Sequence, residues 1–147
     1  PRRDPRPDAV TAEESEACGL LDTNALIDLV DLDPGSLPEL PSICSITLAE
    51  LSVGPLVART PAEAAARQRL LQQTEADFDP IPFDSAAARA FGSVAASLRR
   101  SGRKPAARAY DALIAAVAIS EGLPLYTANV ADFEHIDGLD VREVRRA

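Results

Sequence analysis

Asp22, Glu50, Asp111 and Asp132 lie far apart in the chain, yet each sits where an apolar run meets a turn or a helix, within LLDTNALIDL, ITLAEL, RAYDALIAAVAI and YTANVADF. Brought to one point they would form a pocket of carboxylates. Two carboxylates about 5 Å apart repel by roughly 3 kcal/mol at an effective dielectric of about 20. A cluster of four must therefore take up protons or cations. Oxygen donors with no His or Cys cluster select Mg²⁺, with Mn²⁺ as a substitute, over Zn²⁺. The single histidine, His135, leaves no zinc set and is expected at the surface. A carboxylate-held ion can activate water and neutralise a phosphate during in-line attack, so the implied chemistry is metal-assisted phosphodiester hydrolysis. Asp22 and Asp111 are expected as primary ligands, Glu50 as a ligand or water-orienting base, and Asp132 as an outer ligand for a second ion. Thr23, Thr127 and Asn129 are expected in support, with Arg103, Lys104 and Arg108 steering a phosphate backbone toward the site.

Each acid also has a purely structural explanation. Asp22 could cap the helix TNALIDLV. Thr47-Leu-Ala-Glu50 has the form of a capping box. Asp132 could be an ordinary turn acid. Asp111 could be an exposed helical acid, although it adjoins the apolar run ALIAAVAI, where a charge needs a partner or a cation. Four such coincidences in this order are less easily dismissed than any one.

The elements that must position these acids can be read from period and punctuation. CGLLD is a short apolar strand, and TNALIDLV a helix that Thr23 or Asn24 could cap. DLDPGSLPELP is a loop, SICSI a second strand, and TLAELSVGPLVA a helix with Glu50 in its first turn. TPAEAAARQRLLQQTEA is a helix with Thr60 as N-cap, Pro61 in the first turn and Glu63 closing a capping box. DFDPIPF is a third strand weakened by its prolines. Asp84 caps SAAARAFGSVAASLRRS, which Gly102 ends. GRKPAARA is a basic linker, YDALIAAVAISE a helix that Gly122 stops, LPLYTAN a fourth strand and LDVREV a possible fifth. Strands alternating with helices predict an α/β protein with a mainly parallel sheet. Sites in such sheets gather beyond the carboxyl ends of the strands. Asp22, Glu50, Asn129 and Asp132 are expected at that edge, whereas the helix carrying Asp111 is expected to start at the opposite one.

The chain has 147 residues, a size that suits one domain. Residues 1–17, rich in Pro and charge, are expected to form a flexible extension, and 18–147 a single folded domain. Aromatic residues make up only 4 % of the chain, which argues against stacking platforms of the single-strand-binding kind. A net charge of −8 argues against nonspecific nucleic-acid binding by bulk charge, although Arg99, Arg100, Arg103, Lys104 and Arg108 form a local basic cluster leading into Asp111. Cys18 and Cys44 lack metal-like spacing and are expected as buried free thiols. No apolar run approaches the roughly 18–20 residues of a membrane span, and no signal-peptide pattern is visible, so a cytoplasmic protein is expected.

LLDTNALIDL, SICSITLAELSVG, GRKPAARAYDALIAAVAISEGLPLYTANVADF and IDGLDVREV together resemble a PIN domain, and more narrowly the VapC-type toxins of type II (VapBC) toxin–antitoxin pairs. The resemblance runs from about Gly19 to Val144. It implies a three-layer α/β/α sandwich around a mainly parallel four- to five-stranded sheet, and a Mg²⁺-dependent endoribonuclease acting as a toxin. It further implies a homodimer and a cognate VapB-type antitoxin that joins it in a hetero-oligomer, with no membrane partner. The family motif falls on Asp22, Glu50 and Asp111. Many members carry an acid where this chain has Asn129, and here the acid comes at Asp132, so the fourth corner lies between those two residues. Two other readings remain. A receiver or aspartate-based phosphatase fits poorly, because Asn24 stands where the phosphatase needs a second Asp, and Lys104, the only lysine, comes too early for a receiver. A catalytically degenerate PIN-like module that only binds a partner is the stronger competitor.

Overall fold

The computed structural model describes residues 17–104 and 108–147. Apart from Ala17, the expected N-terminal extension lies outside the described residues, as does the Pro105–Ala107 part of the basic linker. Four strands, β1 (Cys18–Leu21), β2 (Leu40–Ser42), β3 (Leu125–Thr127) and β4 (Val141–Glu143), form one sheet in the order β2-β1-β3-β4. All three pairings are parallel, with Leu20 opposite Leu125 and Leu21 opposite Tyr126 at the centre.

Side chains alternate along a strand, so the two central strands feed two separate cores. Leu20 and Leu125 point into one, packed with α4 (Ser85–Arg100) and α5 (Ala109–Glu121) through Val94, Leu98, Ile114 and Val117. Leu21 and Tyr126 point into the other, with Leu26 of α1 (Thr23–Ile27) and Leu51 of α2 (Ser45–Val53), backed by Leu70 of α3 (Pro61–Asp77). Helices on both faces of a parallel sheet make the expected three-layer architecture. Gly19 shares the face of Leu21. A Cβ there would lie 2.4 Å from a ring carbon of Tyr126 and 2.9 Å from Pro38, so the close approach of that ring requires glycine.

Most element boundaries follow local chemistry. Thr60 caps α3 by accepting from the Glu63 amide, while the Glu63 carboxylate reaches back to the amide of Arg59, one residue before the cap. Asp84 caps α4 through the Ala87 amide, and Gly122 closes α5 at φ +66°. That left-handed conformation suits glycine.

The structure corrects several expectations. DFDPIPF is not a strand of the sheet. It contributes a single parallel bridge, Ile81 to Cys44, because Pro80 and Pro82 have no N–H to extend the ladder. The second strand lies at Leu40–Ser42 rather than SICSI, whose last two residues already open α2. The first helix is only Thr23–Ile27, capped by Asp22 rather than by Thr23 or Asn24, and a separate 3₁₀ turn follows at Leu29–Asp31. Cys44 is buried as expected, Cys18 is half-buried, and both are free thiols. His135 is exposed, with φ +70°.

Candidate active site

β1 continues to β2 on one side, whereas β3 and β4 lie on the other, so the strand order reverses between β1 and β3. Ligand crevices form at such switch points, beyond the strand carboxyl ends. Asp22 follows β1 directly and Thr127 ends β3. The register sets them side by side, and the Asp22 amide donates to the Tyr126 carbonyl at 3.1 Å.

Asp22 is 5 % exposed. One carboxylate oxygen, Oδ1, accepts from the Ala25 amide at 2.8 Å, and Oδ2 accepts from the Thr127 hydroxyl at 2.5 Å. The helix cap and the bond to the end of β3 therefore use different oxygens of one side chain. Thr127 Oγ1 also accepts the Asn129 amide at 3.0 Å, which ties the loop after β3 to Asp22. Burial pushes the Asp22 pKa up. The bonds from Thr127 and Ala25 oppose this, and the charges of Asp132 and Asp28 add to it.

Glu50 is the sixth residue of α2, in its second turn, so Thr47 and Glu50 form no capping box; the N-cap is Cys44. Glu50 Oε1 accepts from the Thr23 hydroxyl at 2.7 Å, and Thr23 Oγ1 lies 3.1 Å from Thr47 Oγ1. Its pKa is raised by burial, lowered by the Thr23 bond and raised again by Asp22.

Asp111 is the third residue of α5. The expectation that this helix starts at the far edge is wrong. A helix feeding a parallel strand runs back across the sheet, so its first turn lies at the carboxyl edge and its last turn meets the start of the strand. The helix N-terminus also favours an acid in that turn. Burial first, then the charges of Asp132, Asp22 and Glu50, raise the Asp111 pKa from an ordinary 3.8 to about 6, with Arg108 opposing. The charges of the other three acids thus all act on the Asp111 carboxyl.

Asp132 lies in the 3₁₀ turn Val130–Phe133 and accepts from both Arg108 Nη1 and Asn129 Nδ2, the latter at 2.6 Å. The two candidates for the fourth corner are therefore bonded to each other, with Asp132 the charged one. Arg103 Nη1 donates to the Ala131 carbonyl at 2.9 Å in the same turn. Lys104 is exposed. Of the expected steering residues, Arg108 reaches the acids and Arg103 braces the turn that carries Asp132, whereas Lys104 does not line the cleft. An open cleft of about 400 Å³ is lined by Glu50, Arg108, Ala109, Tyr110 and Asp111.

The donors are all oxygens, as a hard cation requires. Among the described residues, no three His, Cys, Asp or Glu side chains are already gathered closely enough to hold one ion. Mg²⁺ does not need such a cage, since it keeps several waters and takes one or two carboxylates with substrate oxygens. The residues fit a divalent ion of that type by charge and donor chemistry rather than by preassembly.

Two participants escape the sequence reading. Thr47 imitates a capping residue in the sequence, and its signal is a hydroxyl three residues before Glu50 on the same helix. Tyr110 lines the cleft beside Asp111, and an exposed aromatic next to the acid marks it.

A family model described as PIN domain matches residues 19–139. The chain is 38 % identical over 133 residues to ribonuclease VapC5 of Mycobacterium tuberculosis, covering 88 % of this chain and 96 % of that protein. It is 32 % identical over 127 residues to the tRNA(fMet)-specific endonuclease VapC of Shigella flexneri, covering 82 % and 92 %. Among solved structures it is similar to VapBC-5 of M. tuberculosis, a member of the VapBC family of toxin–antitoxin systems. The TM-score is 0.74 and the identity 36 %, with 88 % of this chain and 98 % of that one covered.

Proposed function

The chain belongs to the PIN-domain family, and we propose that it acts as an endoribonuclease of the VapC kind, the toxin of a toxin–antitoxin pair, which hydrolyses RNA phosphodiester bonds with a divalent ion at its acidic cleft. The observation that carries the proposal is that Asp22, Glu50 and Asp132 lie close enough to Asp111 for their charges to raise its pKa. A degenerate binding module has no use for such convergence, which in a metal-free protein is unfavourable.

Asp22 and Asp111 would hold the ion, Mg²⁺ by preference and Mn²⁺ as a substitute, with Asp132, oriented by Asn129, as an outer ligand. The ion, when bound, supplies charge neutralisation on the phosphate oxygens and a more acidic water. Glu50, with Oε1 fixed by Thr23, keeps Oε2 available as a further ligand to the ion or to orient the attacking water and accept its proton. Its raised pKa makes it the better proton acceptor. Thr127 holds the Asp22 carboxylate in place through Oδ2. Arg108, released from Asp132 as substrate enters, meets the phosphate backbone, with Lys104 and Arg103 behind it.

Residues 18–147 serve as one nuclease domain. A VapB-type antitoxin is the partner, with a homodimer of this chain inside the hetero-oligomer. The relevant structural relative is a VapBC toxin–antitoxin system. Among the described residues no helix is long and apolar enough to cross a membrane, and the cytoplasm is the compartment that supplies RNA.

Inducible expression in a bacterial host, with RNA 5′ ends mapped before and after induction, tests the proposal. Wild type is expected to arrest growth and create discrete new ends, and Asp22→Asn to do neither. Arrest and cleavage that survive Asp22→Asn would remove the ribonuclease reading.

A further inference from the structure

We infer that Thr47 is a positioning residue for Glu50, acting through Thr23 in a directed chain of hydroxyl groups. The inference rests on the ribonuclease reading only for what Glu50 then does.

Thr47 lies on α2, one helical turn before Glu50, and is fully buried at 0 % exposure. A buried hydroxyl must find a partner, and that of Thr47 lies 3.1 Å from Thr23 Oγ1. Thr23 Oγ1 lies in turn 2.7 Å from Glu50 Oε1. Proton counting fixes the direction. An ionised carboxylate only accepts, and a hydroxyl carries one proton. The Thr23 proton therefore goes to Glu50. Thr47 also bonds the buried Cys44 thiol, which burial keeps protonated and able to donate to the Thr47 oxygen. The contact between the two threonines is left with one available proton, that of Thr47, so Thr47 donates and Thr23 accepts. Hydrogen bonds in series polarise one another, so the Thr47 donation strengthens the bond Thr23 gives to Glu50.

The consequence concerns orientation. Thr23 belongs to α1, whereas Thr47 and Glu50 belong to α2. The chain locks the two helices that flank Asp22 and Glu50 to each other. It also commits one Glu50 oxygen inward and leaves the other for the cleft. Partners that orient metal ligands from behind are worth about 10–100-fold in metal affinity or activity. Thr47 acts through an intermediary, so a loss of roughly 3- to 10-fold is expected, at or below the low end of that range.

The test uses the full chain as Thr47→Val, Thr47→Ser, Thr23→Val and the Thr23→Val/Thr47→Val double variant, with two readouts. The first is thermal unfolding in excess EDTA. Thr47→Val is expected to lower Tm, Thr47→Ser to stay near wild type, and the double variant to fall no further than the worse single variant. The second is Mn²⁺ titration by calorimetry, where Thr47→Val is expected to bind roughly 3- to 10-fold more weakly and Thr47→Ser to match wild type. Additive Tm losses in the double variant would overturn the hydroxyl chain. So would a Thr47→Ser variant as weak as Thr47→Val, which would mean that the methyl contact rather than the hydroxyl matters. Unchanged Mn²⁺ affinity in Thr47→Val would overturn the positioning role. If wild type bound no Mn²⁺, the ribonuclease reading and the positioning role would fail together, while the unfolding arm would still decide the hydrogen-bond order by itself.

Discussion

Replacing Asp111 by Asn should abolish function and stabilise the metal-free protein at the same time. Burial and three neighbouring acids raise the Asp111 pKa from 3.8 to about 6. At about 1.4 kcal/mol per tenfold, that difference corresponds to roughly 3 kcal/mol of strain from holding Asp111 ionised at pH 7. The residue is only partly buried, so solvent screening reduces the figure, and about 1–2 kcal/mol is the expected gain for Asp111→Asn. The sign follows from proton uptake. Between pH 3.8 and about 6 the folded state binds more protons at Asp111 than the unfolded state, so wild-type stability falls as pH rises through that window. The advantage of the variant should be fully developed above pH 6.5 and fall to about a third at pH 4.5. The assay is thermal unfolding in EDTA at both pH values. For a chain of this size, about 1–2 kcal/mol is a Tm increase of roughly 3–8 °C. Adding Mg²⁺ should raise the Tm of wild type but not of the variant, because a ligand that binds only the folded state stabilises it. A variant less stable than wild type at pH 7, or an advantage equal at the two pH values, would refute the claim that the acids repel one another.

Thr127→Val removes the hydroxyl donor to a buried carboxylate, 2.5 Å from Asp22 Oδ2; unfolding should show a loss of about 1–3 kcal/mol, and ribonuclease activity should fall about 10–100-fold. Gly19→Ala places a Cβ 2.4 Å from the Tyr126 ring and should destabilise the fold by about 1–3 kcal/mol in a denaturant titration. With limiting Mg²⁺, RNA cleavage should decline as pH falls through about 6, where Asp111 takes up a proton. That acid limb should move to lower pH as Mg²⁺ is raised, because the ion binds the ionised ligands; a limb that ignores Mg²⁺ would count against Asp111 as a ligand.

The acids were legible in the sequence because each borders an apolar run, and strand ends in a parallel sheet share an edge. Asp22 and Asp132 needed only that rule. Asp111 lies at the same edge because α5, which feeds β3, runs back across the sheet and so starts there. The family resemblance points to Asp111 independently of the topology. Glu50 was ambiguous because Thr47 three residues earlier imitates a capping box, and only the position of the true N-cap at Cys44 resolves it. The hydroxyl chain from Thr47 to Glu50 could not be read, because it depends on two helices meeting across 24 residues of sequence. The weak third strand failed for a reason already visible in its composition. Prolines at 80 and 82 allow a bridge at Ile81 but no ladder.

The most direct measurement is cleavage of bacterial RNA by the purified chain, followed by 5′-end mapping, in Mg²⁺, in EDTA, and in Mg²⁺ with Asp22→Asn. Discrete cleavage in Mg²⁺ that disappears with EDTA and falls at least about 100-fold in Asp22→Asn is predicted, because a metal's charge stabilisation is worth several kcal/mol. Cleavage that persists in EDTA, or that Asp22→Asn leaves intact, would contradict a metal-dependent site built on these four acids.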